Sequence, residues 1–251
     1  MKRFANLSGV VPEWPVSPKV SAVTMTRKGG VSAPPFDALN LGLHVGDSAD
    51  AVMENRRMLK ESLSLPALPV WLNQTHGTQI LDVTPEGYDS VDADGSYTCM
   101  TNTVLAILTA DCLPLVISDI AGTQLAVVHA GWRGLAKGIV NQALKRFDNC
   151  AEVCAWLGPA IGPTRFEVGD DVRDAFIQRN VANAEHFADG KVVGKYWADI
   201  YALARTELHD AGCKTYGGEY CTHAQADLFH SHRRDGKYSG RIATVAWISA
   251  D

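Results

Sequence analysis

Four apolar runs constrain this chain more than any other feature: PVWLN (69–73), VLAIL (104–108), LPLVI (113–117) and LAVVH (125–129). Each is rich in Val, Ile and Leu, each is bounded by polar residues, and none shows the polar face of a surface strand. Such runs suit strands buried on both faces, so other elements must cover them. Asp47 or Ser48 can cap a helix through about Leu63, with Val52, Arg56, Leu59 and Leu63 on one face. Leu135, Ile139, Ala143, Leu144 and Phe147 recur at helical spacing and predict a helix over about 134–147. DDVRDAFIQ (170–178) predicts a short helix, and 198–212 a helix stopped by Gly212. VSAVTMT (20–26), VCAWLG (153–158) and RIATVAWI (241–248) complete the strands, and RKGGVSAPP (27–35) is a loop. Strands arrive both in pairs and between helices. The expected class is therefore α+β, with layered mixed β-sheets and helices on the outer faces. With no repeat, low-complexity tract or linker, residues 1–251 read as a single domain.

Composition narrows the partners. The 251 residues are 46% hydrophobic, enough for a substantial core, and 23 Lys+Arg against 28 Asp+Glu leave a net charge of −5. Nucleic acids and anionic membranes demand concentrated positive charge, and no Lys/Arg block exists here, so a small molecule is the expected partner. No run approaches the ~18–20 apolar residues of a membrane helix. The first 18 residues hold three Pro and no continuous apolar stretch, so a cytoplasmic location is expected. Cys99, Cys112, Cys150, Cys154, Cys213 and Cys221 then read as reduced thiols.

Soft metal ligands stand just beyond the core runs. Gln74-Thr75-His76-Gly77 follows one, Ala110-Asp111-Cys112 interrupts another, and His129 opens His129-Ala130-Gly131-Trp132-Arg133-Gly134. Strand ends are where separated side chains converge on a crevice. His76, Cys112 and His129 together would suit Zn²⁺ with its fourth position open to water or substrate. Spacing alone does not establish this, because the separations are long and a buried Cys is usually a small hydrophobe. Cys112 with His129 or His76 would equally make a nucleophile–base pair, and the same donors could hold copper. Arg133 sits where a helix begins, a natural anion site; Arg27 with Gly29-Gly30, and Ser231-His232-Arg233-Arg234, offer similar grips. Asn40, His44 and Cys221-Thr222-His223 are polar positions in apolar or Gly-containing surroundings. Cys150 and Cys154 read as packing, and His223, His230 and His232 as polar loop residues.

NQTHGTQI (73–80), LTADCLPLVI (108–117) and VVHAGWRGLAKGIV (127–140) closely resemble the bacterial YfiH/YlmD family. Further family-like segments are RKGGVSAPPFDALNLGLHVGD (27–47), ENRRML (54–59), AWLGPAIGP (155–163), FEVGDDV (166–172), CT (221–222) and SHRRDGKYSGRIATVAWI (231–248). The likeness spans nearly the whole chain. It implies a fold related to the catalytic domain of the cytotoxic necrotizing factor toxins. It also implies a zinc-dependent purine nucleoside phosphorylase with adenosine deaminase activity, acting on adenosine, inosine, guanosine and methylthioadenosine as a monomer or homodimer. The family's ligands carry over to His76, Cys112 and His129. For deamination at C6 of adenine, Asp111 is the candidate proton shuttle. For phosphorolysis, Arg133, Arg27 and Arg233 are the candidate phosphate groups, with Asn40 and His44 as further substrate-binding candidates. SHRR stands where an aromatic residue often precedes the two Arg, and ALNLG where Ser-Leu-Asn is common. The rival readings are a cysteine hydrolase or amidase acting on a peptidoglycan precursor through Cys112, a copper-dependent polyphenol oxidoreductase (the older family reading), and a non-enzymatic purine-binding module.

Overall fold

The computed structural model describes residues 1–87 and 91–250. In chain order its elements are β1 (Lys2–Phe4), β2 (Leu7–Val10), β3 (Val20–Met25), α1 (Ala49–Ser62), β4 (Ile80–Asp82), β5 (Gly95–Thr98), β6 (Leu105–Thr109), β7 (Leu113–Asp119) and β8 (Leu125–Ala130). There follow α2 (Trp132–Ala136), α3 (Ile139–Leu144), β9 (Val153–Leu157), β10 (Glu167–Gly169), α4 (Asp170–Arg179), β11 (Phe187–Asp189), β12 (Lys195–Ala198), α5 (Ile200–Asp210), β13 (Lys214–Gly217), α6 (His232–Asp235) and β14 (Ile242–Ile248). No described helix is long and apolar enough to cross a membrane.

Apolar side chains on both faces of the central strands produce a layered α+β architecture. A five-stranded antiparallel sheet, β1-β2-β3-β14-β6, packs on a six-stranded mixed sheet, β13-β9-β7-β8-β5-β4. Leu105 and Ile107 of β6 meet Val116 of β7 and Leu125 and Val127 of β8 between the sheets. The alternate residues Leu115, Ile117, Ala126 and Val128 point the other way, into a core closed by Leu135, Ile139, Phe176 and Leu203 of the helices. On the far side, Ala106, Leu108 and Val245 pack with Leu59 and Leu63. At roughly 1.5–3 kcal/mol for each large aliphatic side chain removed from water, these three cores dominate the favourable side of folding. A small antiparallel sheet, β10-β12-β11, lies outside the two main ones and has no counterpart in the sequence reading.

Three local expectations need correction. PVWLN is no strand: Val70 and Asn73 make only single bridges, to Leu105 and Asp92. Pro69 has no N–H to extend the pairing, and the side chain of Gln74 takes the place of backbone beside β6, accepting from the Leu108 N–H (2.8 Å) and donating to its carbonyl (2.7 Å). The helix over 134–147 is two helices, broken at Gly138 with φ +92°. On α1, capped by Ser48, the buried set is Val52, Asn55 and Leu59, with Arg56 only partly covered. The Asn55 amide donates to Ser32 Oγ and the Asn40 carbonyl and accepts from the Val31 N–H, tying the 30–40 loop to the helix.

VLAIL and LPLVI enter different sheets. The chain crosses between the two layers at Ala110-Asp111-Cys112, where Asp111 adopts φ +86°. That crossing places Cys112 at the mouth of the sandwich.

Candidate metal centre

Strand pairing brings the central residues together. β7 pairs with β8 so that Leu113 faces Ala130 and Pro114 faces His129, which sets Cys112 beside the end of β8. His76 arrives on the loop after Asn73 with φ +58°. The Cys112 Sγ lies 3.9 Å from His76 Nε2, and one ligand atom from each of His76, Cys112 and His129 falls within 4.8 Å of the others. The two imidazoles meet edge to face, 4.8 Å between centroids.

A residue absent from the sequence reading organises this trio. Asp94, fully buried ahead of β5, receives hydrogen bonds from His129 Nδ1 (2.8 Å), from the backbone N–H of His76 (2.9 Å), Gly77 (2.7 Å) and Thr75 (3.1 Å), and from the Thr75 hydroxyl (3.0 Å). With Nδ1 engaged, His129 keeps Nε2 for a metal, the carboxylate–histidine arrangement common behind zinc ligands. One carboxylate therefore orients two of the three ligands. Only its position between a loop and a strand start marked it in the sequence.

The donors fit a metal. Zinc bonds of ~2.0–2.3 Å in a tetrahedron put neighbouring ligand atoms ~3.3–3.8 Å apart, so a small contraction of the observed spacing closes the site. Gly131 preserves the room: a Cβ there would lie 3.0 Å from His76 Cδ2, 3.2 Å from Cys112 Sγ and 3.4 Å from His129 Cε1. Burial opposes charge on Cys112, yet the facing His129 and His76 pull its thiol down to about 6. Burial likewise disfavours a charged His129, but Cys112 and Asp94 raise it to about 9. Burial works against the Asp94 charge too, and the hydrogen bonds from His129 and the loop N–H groups hold its carboxyl well below the usual range. Thiolate and carboxylate are thus both present at neutral pH.

Two cavities open onto the trio and share His76, Ala110, Cys112 and His232. The larger, about 560 Å³, is bordered by Trp132, Arg133, Phe166, Lys195 and Arg233. The smaller, about 410 Å³, is bordered by His44, Gln74, His129 and Arg241. Arg133 and Arg233 are exposed, with their guanidiniums 4.4 Å from the Trp132 ring and 5.5 Å from the Phe166 ring.

The remaining candidates are placed elsewhere or otherwise occupied. Arg27 borders neither cavity; it pairs with Asp37 and donates to the Asp37 and Ala226 carbonyls. Asn40 is buried and bonds Gly42, Asp47 and Arg241 N–H, so it shapes the loop under His44. Asp111 borders the larger cavity, but Thr222 Oγ1 (2.6 Å), Ser231 Oγ (2.9 Å) and the Arg233 N–H (2.6 Å) bind its two oxygens. It pins two loops, an arrangement ill suited to shuttling protons. His232, read as a loop residue, borders both cavities; His230, read likewise, is fully buried on a core loop.

The model of a family described as multi-copper polyphenol oxidoreductase laccase matches residues 21–249. The Escherichia coli (strain K12) protein named purine nucleoside phosphorylase YfiH is 48% identical over 95% of this chain and 98% of its own length. A Pseudomonas aeruginosa protein named purine nucleoside phosphorylase is 42% identical over 95% and 98%. Among solved structures, Neisseria meningitidis protein NMB0706 superposes with a TM-score of 0.91 at 41% identity, covering 96% of this chain and 99% of that one. YlmD from Geobacillus stearothermophilus gives 0.84 at 32% identity, covering 93% and 94%. Sequence and fold agree, and the chain belongs to the YfiH/YlmD family.

Proposed function

We propose that this protein is a zinc-dependent purine nucleoside phosphorylase that converts adenosine, inosine and guanosine to free base and ribose-1-phosphate, and methylthioadenosine to adenine and 5-methylthioribose-1-phosphate, and that it also deaminates adenosine. The observation that carries the reading is the convergence of His76, Cys112 and His129, backed by Asp94, at the floor shared by two cavities. The names of its relatives in Escherichia coli and Pseudomonas aeruginosa support the same reading. In phosphorolysis a phosphate oxygen forms a bond to the anomeric carbon while the bond from that carbon to N9 breaks, its electron pair leaving with the purine, which takes up a proton. The larger cavity offers Trp132 and Phe166 as aromatic surfaces for a purine, with Arg133 and Arg233 at its rim. His232, which borders both cavities, would pass the proton to the departing base. A bound zinc ion would supply Lewis acidity and lower the pKa of water toward ~7, the chemistry that deamination needs.

The test is chromatographic analysis of inosine and adenosine incubated with metal-analysed protein, with and without phosphate and after chelation. Phosphate-dependent hypoxanthine from inosine, lost with the metal, is expected. Base release indifferent to both phosphate and metal would refute the reading.

A second reading has a specific observation behind it: a lowered Cys112 thiol beside a raised His129 backed by Asp94 is also the geometry of a cysteine hydrolase. It requires activity that survives chelation and dies on thiol alkylation. A multi-copper oxidase has less to build on. Such enzymes use about ten His, whereas this chain has 8, and the described residues hold one His/Cys/Asp/Glu group of metal-ligating geometry.

A further inference from the structure

The smaller cavity carries a charge pattern that the ligand trio does not explain. Arg241, half-buried at the start of β14, spends one guanidinium nitrogen, Nη1, on the Ser239 (2.8 Å) and Gly240 (3.0 Å) carbonyls. Its Nε and Nη2 have no partner among the described residues, and it makes no ion pair there. Arg56 comes from α1 behind His44; it donates through Nε and Nη2 to the Leu41 carbonyl, lies 4.0 Å over the Trp71 ring, and likewise has no carboxylate partner among the described residues. Arg27, Arg57, Arg146, Arg173, Arg179 and Arg234 make ion pairs; Arg133 and Arg233 of the larger cavity make none among the described residues either, but both are exposed, whereas Arg241 is half-buried.

Gly42 lets Arg241 and His44 come close together. A Cβ at this position would lie 2.8 Å from Arg241 Cγ and 3.5 Å from His44 Cε1. Burial and the two arginines together push the His44 imidazole below its ordinary value, and burial pulls the Arg56 guanidinium down to about 10. The acidic groups facing Arg241 are the Cys112 thiol and Asp111. Neither bonds the guanidinium: the first belongs to the ligand trio, and the second accepts from the Thr222 and Ser231 hydroxyls and the Arg233 backbone N–H. A partly desolvated guanidinium with two unbonded nitrogens is costly unless an acceptor joins it, and a buried one grips an anion more strongly than a solvated one does.

We infer that the cavity bordered by His44 and Arg241 is the binding site for inorganic phosphate, the nucleophile of the proposed phosphorolysis, with Arg241 its principal ligand and His44 a second. Arg133 and Arg233 then serve the nucleoside cavity instead, and the sequence-based assignment of phosphate to them and to Arg27 gives way. The inference rests on the phosphorylase reading for the anion's role, but the anion site itself rests on the unbonded Arg241 nitrogens at the cavity wall. Phosphate held here borders His76, Cys112 and His129, and a nucleoside in the larger cavity borders His76 and Cys112, so the two substrates meet at the shared floor. Phosphate enters with its own negative charge, which Arg241 offsets in part without any proton transfer.

The experiment is calorimetric titration of inorganic phosphate into metal-loaded protein without nucleoside, joined to KM measurements for phosphate and inosine. Wild type, Arg241→Gln, His44→Gln and Arg133→Gln are compared. Arg241→Gln is expected to weaken phosphate binding and raise the phosphate KM about tenfold or more, equal to about 1.4 kcal/mol, while the inosine KM changes far less. His44→Gln, at the exposed mouth, should shift phosphate in the same direction and covers the case in which Arg241→Gln fails to fold. Arg133→Gln should alter the inosine KM and leave phosphate binding in place. Phosphate binding unchanged in both Arg241→Gln and His44→Gln, or lost only in Arg133→Gln, overturns the inference even if phosphorolysis is present. Phosphate binding that needs Arg241, in a protein that never releases base, upholds the anion site and overturns the phosphorylase reading alone.

Discussion

Asp94 fixes the chemistry of the site at the residue scale. Its five hydrogen bonds hold the His76 loop and the His129 ring together. Asp94→Asn cannot accept from all of these donors, and it leaves His129 free to change tautomer. Zinc affinity should fall about 10–100-fold, the usual effect of losing such a partner, as read by competition with a chromophoric chelator. An unchanged affinity would mean that the backbone alone positions the ligands. Cys112→Ala and His76→Ala should each abolish stoichiometric metal while leaving the far-UV circular dichroism intact; full activity in metal-free Cys112→Ala protein would exclude a metal role. His76, Cys112 and His129 were legible as donors beyond the apolar runs, but the long separations left their grouping to the family resemblance. Asp94 was not, because it acts through partners far away in sequence, and His232 and Arg241, although they lie within the family-like segment 231–248, were not marked out there as lining the site.

At the scale of elements, strands read well and breaks read poorly. Runs with apolar residues on both faces became β6, β7, β8 and β9. The sequence periodicity across 134–147 was real, yet Gly138 interrupts it, and a Cβ there would lie 2.7 Å from Arg179 Nη1. That arginine donates to the Leu135 carbonyl at the end of α2 (3.0 Å) and pairs with Glu207 of α5 (3.2 Å), contacts invisible to a local pattern. Burial raises Glu207 from 4.5 to about 7, with Arg179 opposing. The folded protein therefore holds more protons than the unfolded chain between those two values. Stability from this group is full below pH 4.5 and declines as pH rises to about 7. Relative to Glu207→Gln, the wild-type melting temperature should drop across that window, by the equivalent of at most about 3 kcal/mol. A pH-independent difference between the two proteins would show that the ion pair with Arg179 offsets the burial cost.

At the scale of the whole molecule, two face-to-face sheets with helices outside bring a chain crossing and strand ends together at one mouth of the sandwich. The crossing at Ala110-Asp111-Cys112, the end of β8 and the loop bearing His76 all reach it. Membership of a layered α+β class was legible from buried strands. Which strand enters which sheet was not, since β6 and β7 are neighbours in sequence but part company at a single residue with positive φ. The same crossing borders both cavities, since Ala110 and Cys112 line each. X-ray absorption at the metal edge of the purified protein tests this centre most directly. The expected result is one zinc per chain with a single sulfur at ~2.3 Å and the remaining light-atom neighbours near ~2.0 Å. Zinc without a sulfur neighbour, or several copper ions per chain, would contradict a centre built from His76, Cys112 and His129.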